Sequence, residues 1–228
     1  MKLLIGAFAG LAAVLIGISG FAARRVEPKV YLVPLEAEPE LLQSLRGYYQ
    51  KELQLDVEIL SSLQLTTATW NTQRRQVRAE RIVELIYAKH RELGSHRPAI
   101  VIGITGRDLY IEDRPWAYAF SFRGSASLAI VSYARMDPVD YGEDADTAVV
   151  ETRLRKMVSR NLGIMRFGIP FTTERHHLMY QDILGLDDLD AVGEDLHGAG
   201  FPGARPLRQP EPERLEVLVR QLRFADHS

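Results

Sequence analysis

The segment Ala99–Thr105, AIVIGIT, constrains the fold more than any other stretch of the chain. It is nearly all apolar and shows no alternation, so a strand built from it needs cover on both faces and belongs at the centre of a sheet. The segments around it supply that cover. VYLVPL (30–35) reads as a buried strand ended by Pro34, and residues 38–52 place Leu41, Leu42, Leu45, Tyr48 and Tyr49 at helical spacing. LDVEIL (55–60) alternates like a half-buried strand. A polar stretch opening at Asn71 runs into a helix whose face is Val77, Ile82, Leu85, Ile86 and Leu93, stopped by Gly94-Ser95. AYAFSF (117–122) alternates like an edge strand, and SLAIVSYARM (127–136) reads as another buried strand. A helix is expected from Thr147 to Leu162, ended or bent by Gly163. The order strand, helix, strand, helix, strands, helix predicts an α/β domain with a mixed sheet.

Three parts follow from this pattern: 1–25 as a signal peptide or membrane anchor, 30–200 as the folded domain, and 201–228 as a Gly/Pro linker with a short helix at Leu215–Phe224. The uncharged run from Leu3 to Ala23 would be about 31 Å long as a helix, close to the hydrocarbon thickness of a bilayer. Small residues at Gly20-Phe21-Ala22 suit a cleaved signal, whereas the length suits a retained transmembrane anchor. The expected location is membrane-anchored or exported. Orientation stays open, because Arg24, Arg25 and Lys29 after the run pull toward the cytoplasm while the short basic start suits export. The whole chain carries a net charge of −2, which gives no reason to expect nucleic acid as a partner. No cysteine is present, which excludes disulfides, thiolate metal sites and a cysteine nucleophile.

Several segments resemble the archaemetzincins, a branch of the metzincin zinc metalloproteases. VYLVPL is similar to their first strand. Trp70-Asn71, Arg74, Gln76 and Ala79 resemble the family's Asn-Pro-x-Arg-x-Gln-Tyr-x-Ala helix entry, with Thr72 in place of the Pro. IGITGRDLY (102–110) resembles a family strand ending in Asp-Leu-Tyr, and AIVSYARMD its Val-Ser-x-x-Arg-Leu strand. The resemblance implies a metzincin-like domain whose metal signature would run HExxHxxGxxxC, four residues, CxM, seventeen residues, CxxC. In that signature two His at i and i+4 share one helix face and bind zinc, and the Glu beside the first polarises the metal's water.

This chain lies on that frame without a gap. Gly168 falls on the glycine and Met179 on the methionine. Asn161 and Met165 stand at the two His positions, Leu162 at the Glu, and Phe171 at the third ligand. Thr172, His177, His197 and Gly200 fall on the cysteines. A shift of one residue changes nothing, because 157–173 contains no His, Asp, Glu or Cys. The resemblance therefore implies a metzincin frame without catalytic residues, metal ligands or a cofactor, which acts as a binding or scaffolding protein for a peptide or protein partner.

An alternative keeps an enzyme: a metal-dependent hydrolase, with zinc, whose ligands have moved to Glu174, His176, His177 and Asp182. Adjacent His side chains diverge on regular backbone, so this segment reads first as an exposed turn. LGLDDLDAVGEDL lacks the ligand alternation of a calcium loop and reads as an Asp-capped short helix with Leu184, Leu186 and Leu189 packed inward. Asp108 reads as a turn cap. Trp116, Tyr118, Phe120 and Phe122 recur at every second position, so one strand face would carry them; Trp116 and Tyr118 are the expected cleft residues if that face holds an extended peptide. A structural role in the envelope through the tail helix is the third expectation.

Overall fold

The computed structural model describes residues 29–94 and 99–201. In chain order the elements are β1 (Lys29–Leu35), α1 (Pro39–Leu53), β2 (Val57–Ile59), β3 (Trp70–Asn71), β4 (Gln76–Arg78), α2 (Ala79–Lys89), β5 (Ala99–Thr105), β6 (Leu109–Tyr110), β7 (Ser121–Arg123), β8 (Leu128–Ser132), α3 (Thr147–Phe167) and α4 (Leu186–Ala191). The main sheet has the order β2-β1-β5-β8-β7, with β5 in the middle. Every pairing is parallel except β7 on β8, so the sheet is mixed, as the sequence predicts. A small second sheet joins β3, β4 and β6.

All seven residues of β5 are buried. Ile100, Ile102 and Ile104 point into the core shared with α1 and α3, whereas Val101 faces the core shared with α2. Gly103 sits on that second face because a side chain has no room there: a Cβ would lie 2.8 Å from Leu35 and 2.9 Å from Ile86.

Several elements differ from the sequence expectation, each for a local reason. Pro34 does not end β1; it stays opposite Ile104 of β5, beyond the last rung with β2, where its missing N–H breaks no ladder on that side. Val77 belongs to β4 rather than to a helix, because its N–H bonds the Asp108 carbonyl at 2.8 Å and α2 starts only at Ala79. The strand expected at 117–122 shrinks to Ser121–Arg123, and that expected at 127–136 stops at Ser132, where Tyr133–Met136 turns.

Gly163 does not end α3. Capped at Asp146, whose carboxylate accepts from the N–H groups of Ala148 and Val149, the helix runs 21 residues to Gly168, which takes the left-handed conformation (φ 66) that a C-cap favours. Gly163 lies inside it where Met179 and Phe201 press on the backbone; a Cβ would come within 2.8 Å of the Met179 sulfur. The segment after the helix is tied back onto it. Arg153 donates to both oxygens of Asp190 at 2.8 and 2.6 Å, Arg155 donates to Glu194, and the buried Lys156 ammonium donates to the Leu189 and Asp190 carbonyls. Of the three leucines expected inward near α4, Leu189 is fully buried and Leu186 half-buried, but Leu184 is 76% exposed. The helix is capped by Gly185, which brings no side chain; Asp188 instead accepts from the Leu184 N–H.

Among the described residues no helix is long and apolar enough to cross a membrane. The apolar run 3–23, the linker and the tail helix 215–224 lie outside the described residues.

Two helix glycines test this packing against each other. Gly47, in α1, has nothing within 4 Å of its Cβ direction. Gly47→Ala should therefore stabilise the domain by up to about 1 kcal/mol through helix propensity. Gly163→Ala should destabilise it by roughly 1–2 kcal/mol through overpacking. Urea midpoints of the two variants should move in opposite directions; movement in the same direction would mean that propensity alone governs both sites.

Candidate functional site

The residues that carry the family resemblance lie far apart in sequence, and the fold brings them to one place. The carboxylate of Asp108, just before β6, accepts two bonds from Arg135 beyond β8, at 2.9 and 2.6 Å, and one from Gln76 of β4 at 3.0 Å. Gln76, 4% exposed, also donates to the Ala117 carbonyl at 2.8 Å and accepts from Arg74 at 2.7 Å. Arg74 in turn donates to the carbonyls of Trp116 and Ala117, each at 3.0 Å, and its guanidinium lies 4.5 Å from the Tyr110 ring centre. The Tyr110 hydroxyl accepts from Asn71 and Arg78.

This network explains why residues 116–118 are not a strand: side chains take the carbonyls that a ladder would use. Asp108 is thus an ion-paired anchor within the network rather than an isolated turn cap. Arg135 also stacks on Tyr118, with its guanidinium 4.6 Å from the ring centre, while burial, the first of several causes, raises the Tyr118 phenol pKa.

The segment held in this way forms one wall of an open cleft of about 800 Å³. Met157, Arg160 and Asn161 of α3 line it, as do Phe171, Gln181, Ile183 and Leu184. Trp116 and Tyr118, the expected cleft residues, both lie on this cleft, and Trp116 is 49% exposed.

Asn161 and Phe171 also line it. Asn161 is 1% exposed and donates to Ser121 Oγ at 2.8 Å and to the Met157 carbonyl at 2.9 Å. The carbonyl partner fixes which amide atom is nitrogen. That leaves Asn161 Oδ1 buried with no hydrogen-bond partner. Leu162 and Met165 do not reach the cleft; they are part of the core under the main sheet. Met179 is fully buried against Gly163, and the loop between them closes on itself through Ile169 N–H to the Gly163 carbonyl and through the Thr172–Tyr180 bridge.

The family's zinc does not fit these residues. An amide committed to two hydrogen bonds, two apolar core side chains and a phenyl ring offer no donor set for catalytic zinc. Nor does the 174–182 segment form a ligand set. His176 Nδ1 bonds the Ala191 carbonyl at 3.0 Å, His177 Nδ1 accepts from the Met179 N–H at 3.0 Å, and Asp182 accepts from Gln181. Glu174 is exposed, as is His197. Among the described residues no group of three or more His, Cys, Asp or Glu is placed to hold a metal ion.

The cleft also contains charge that sequence reasoning missed. Arg123 and Arg160 each place the guanidinium 5.2 Å from the Phe171 ring centre. Arg160 is 5% exposed; burial first, and then repulsion from Arg123, push its pKa down to about 10. Partial desolvation lowers Arg123 as well, although its side chain reaches the surface. These residues sit on separate elements without any motif, so nothing in their sequence neighbourhood points to their meeting.

No family model and no curated protein matches this chain. Solved structures do. An archaemetzincin from Methanopyrus kandleri shares 20% identity over 89% of this chain and 99% of its own, with a TM-score of 0.59. An archaemetzincin from Archaeoglobus fulgidus, complexed with malonate, shares 18% identity over 75% of this chain and 99% of its own, at 0.56. A zinc-dependent peptidase from Methanocorpusculum labreanum shares 19% over 72% and 93%, at 0.55. The chain is of the mixed α/β class, and its fold is archaemetzincin-like.

The Asp108 network predicts a specific lesion. Gln76→Ala removes the hydrogen bonds to Arg74, Asp108 and Ala117 and should cost about 1–3 kcal/mol of stability. Hydrogen exchange should quicken at the Ala119 amide, which bonds Leu109 across the cleft wall. A variant with unchanged stability and unchanged exchange there would show that Gln76 does not hold the wall.

Proposed function

We propose that this chain is a non-catalytic binding protein built on the archaemetzincin fold, whose cleft holds an extended segment of a peptide or protein partner. The observation that carries this reading is the state of the cleft. Its wall is fixed by a polar network and its mouth is open, while the family-frame ligand positions are occupied by Asn161, Leu162, Met165 and Phe171. Leu162 and Met165 do more than lack donor chemistry: they pack in the main core, so restoring a metal would cost that packing. The wall segment presents Trp116 and Tyr118 to the cleft, with the antiparallel edge strand β7 following directly, and an edge strand is a usual place to receive an extended peptide. In the same reading residues 1–25 tether the domain to a membrane or direct its export, which sets where the partner is met.

The reading predicts which residue reports binding. Trp116 should shift its emission when a peptide enters, and Trp116→Ala should weaken binding by about tenfold or more, as expected when an interface aromatic is truncated. Emission titrations with unstructured polypeptides such as casein fragments measure this. Equal binding by the Trp116→Ala and Tyr118→Ala variants would place the partner elsewhere. A turnover of those fragments that depends on His176 and His177 would replace this reading with the hydrolase.

A further inference from the structure

The cleft has a charge imbalance that the binding reading does not itself require. Arg114, Arg123 and Arg160 line it, and among the described residues no Asp or Glu does. The chain as a whole has 30 acidic residues against 28 basic ones, so the bias belongs to the cleft and not to the composition.

Among the described residues neither Arg123 nor Arg160 has a carboxylate partner. Arg160 is the sharper case. It is 5% exposed, and one of its N–H groups donates to the Leu178 carbonyl at 2.8 Å. Arginines elsewhere on α3 are treated differently: Arg153 and Arg155 are each matched to an acid, Asp190 and Glu194. A buried guanidinium without a counter-charge is costly, and a second guanidinium beside it adds repulsion. A site that keeps both against one aromatic ring is arranged to receive a negative group. Planar, forked donors match a carboxylate well.

Asn161, one residue along α3 from Arg160, lines the same cleft, and its Oδ1 is buried without a hydrogen-bond partner. Exposed apolar side chains at the rim, Trp116, Phe171 and Leu184, suit a peptide better than a small inorganic anion.

We propose that Arg123 and Arg160, gathered at Phe171, form a carboxylate seat, so that the cleft selects peptides that present a carboxylate, from the C-terminus or from an Asp or Glu side chain. The proposal rests on the cleft being the binding site.

The test uses the full chain in non-ionic detergent and one short apolar fluorescent peptide in three forms: free C-terminal acid, C-terminal amide, and amide with a central Asp. Anisotropy gives the three affinities. At least one charged form should bind roughly tenfold or more tighter than the plain amide, as loss of a charge-assisted hydrogen bond predicts. Whichever charged form binds more tightly names the source of the carboxylate. Arg123 is at the surface, so Arg123→Met should fold normally and reduce that advantage to near unity, while Arg123→Lys should keep part of it. If all forms bind alike and Arg123→Met changes nothing, the seat is overturned while peptide binding in the cleft stands. If no form binds, both fall.

Discussion

The carboxylate of Asp108 is the point at which the cleft is joined to the sheet. Three strand-borne segments, at residues 76, 108 and 135, meet there through hydrogen bonds of 2.6–3.0 Å. An exposed Asp–Arg pair alone would contribute little. Here the pair is coupled to Gln76, which is almost fully buried and whose amide reaches the backbone at Ala117. The wall of the cleft is therefore positioned by side chains, and its shape depends on polar groups being satisfied together.

Opposite that wall, α3 continues without a break through the region where the family frame would place a metal. The helix is continuous because Gly163 admits Met179 and Phe201 against its backbone, and because Gly168 supplies the left-handed cap. Met179 thus supports the helix by packing alone. Leu162 and Met165 join the same core, and Asn161 turns its amide nitrogen to Ser121 across the gap to β7. Each of these substitutions is accommodated by ordinary packing or hydrogen bonding, apart from the unpartnered oxygen of Asn161. A domain in this state has a stable frame and an open cleft, with the unbalanced charge concentrated in the cleft.

Much of the fold was legible in the sequence. AIVIGIT is the central strand because apolarity on both faces admits no other place, and the mixed sheet follows from the order of elements. What was not legible depended on tertiary competition. Val77 reads as the first apolar residue of the helix that carries Ile82 and Ile86 but pairs as a strand, because Asp108 offers it a carbonyl. The aromatic alternation at 116–122 suggested a full strand, yet Arg74 and Gln76 capture its first carbonyls. Gly163 read as a stop because a glycine in a helix is a local cost, whereas the compensating contact comes from Met179 and Phe201, distant in sequence. In the site, Trp116 and Tyr118 were legible as cleft residues. Arg123 and Arg160 were not, because a charge without a partner is a property of three-dimensional surroundings.

The central claim is that this archaemetzincin-like frame holds its cleft without a metal, and the most direct measurement is elemental analysis of the purified full chain carrying no histidine tag. The expected result is less than roughly a tenth of an equivalent of zinc, iron, manganese or nickel, since no described ligand set meets the donor count and geometry such a site needs. Close to one equivalent, retained through dialysis and lost with chelator alongside a fall in Tm, would contradict it.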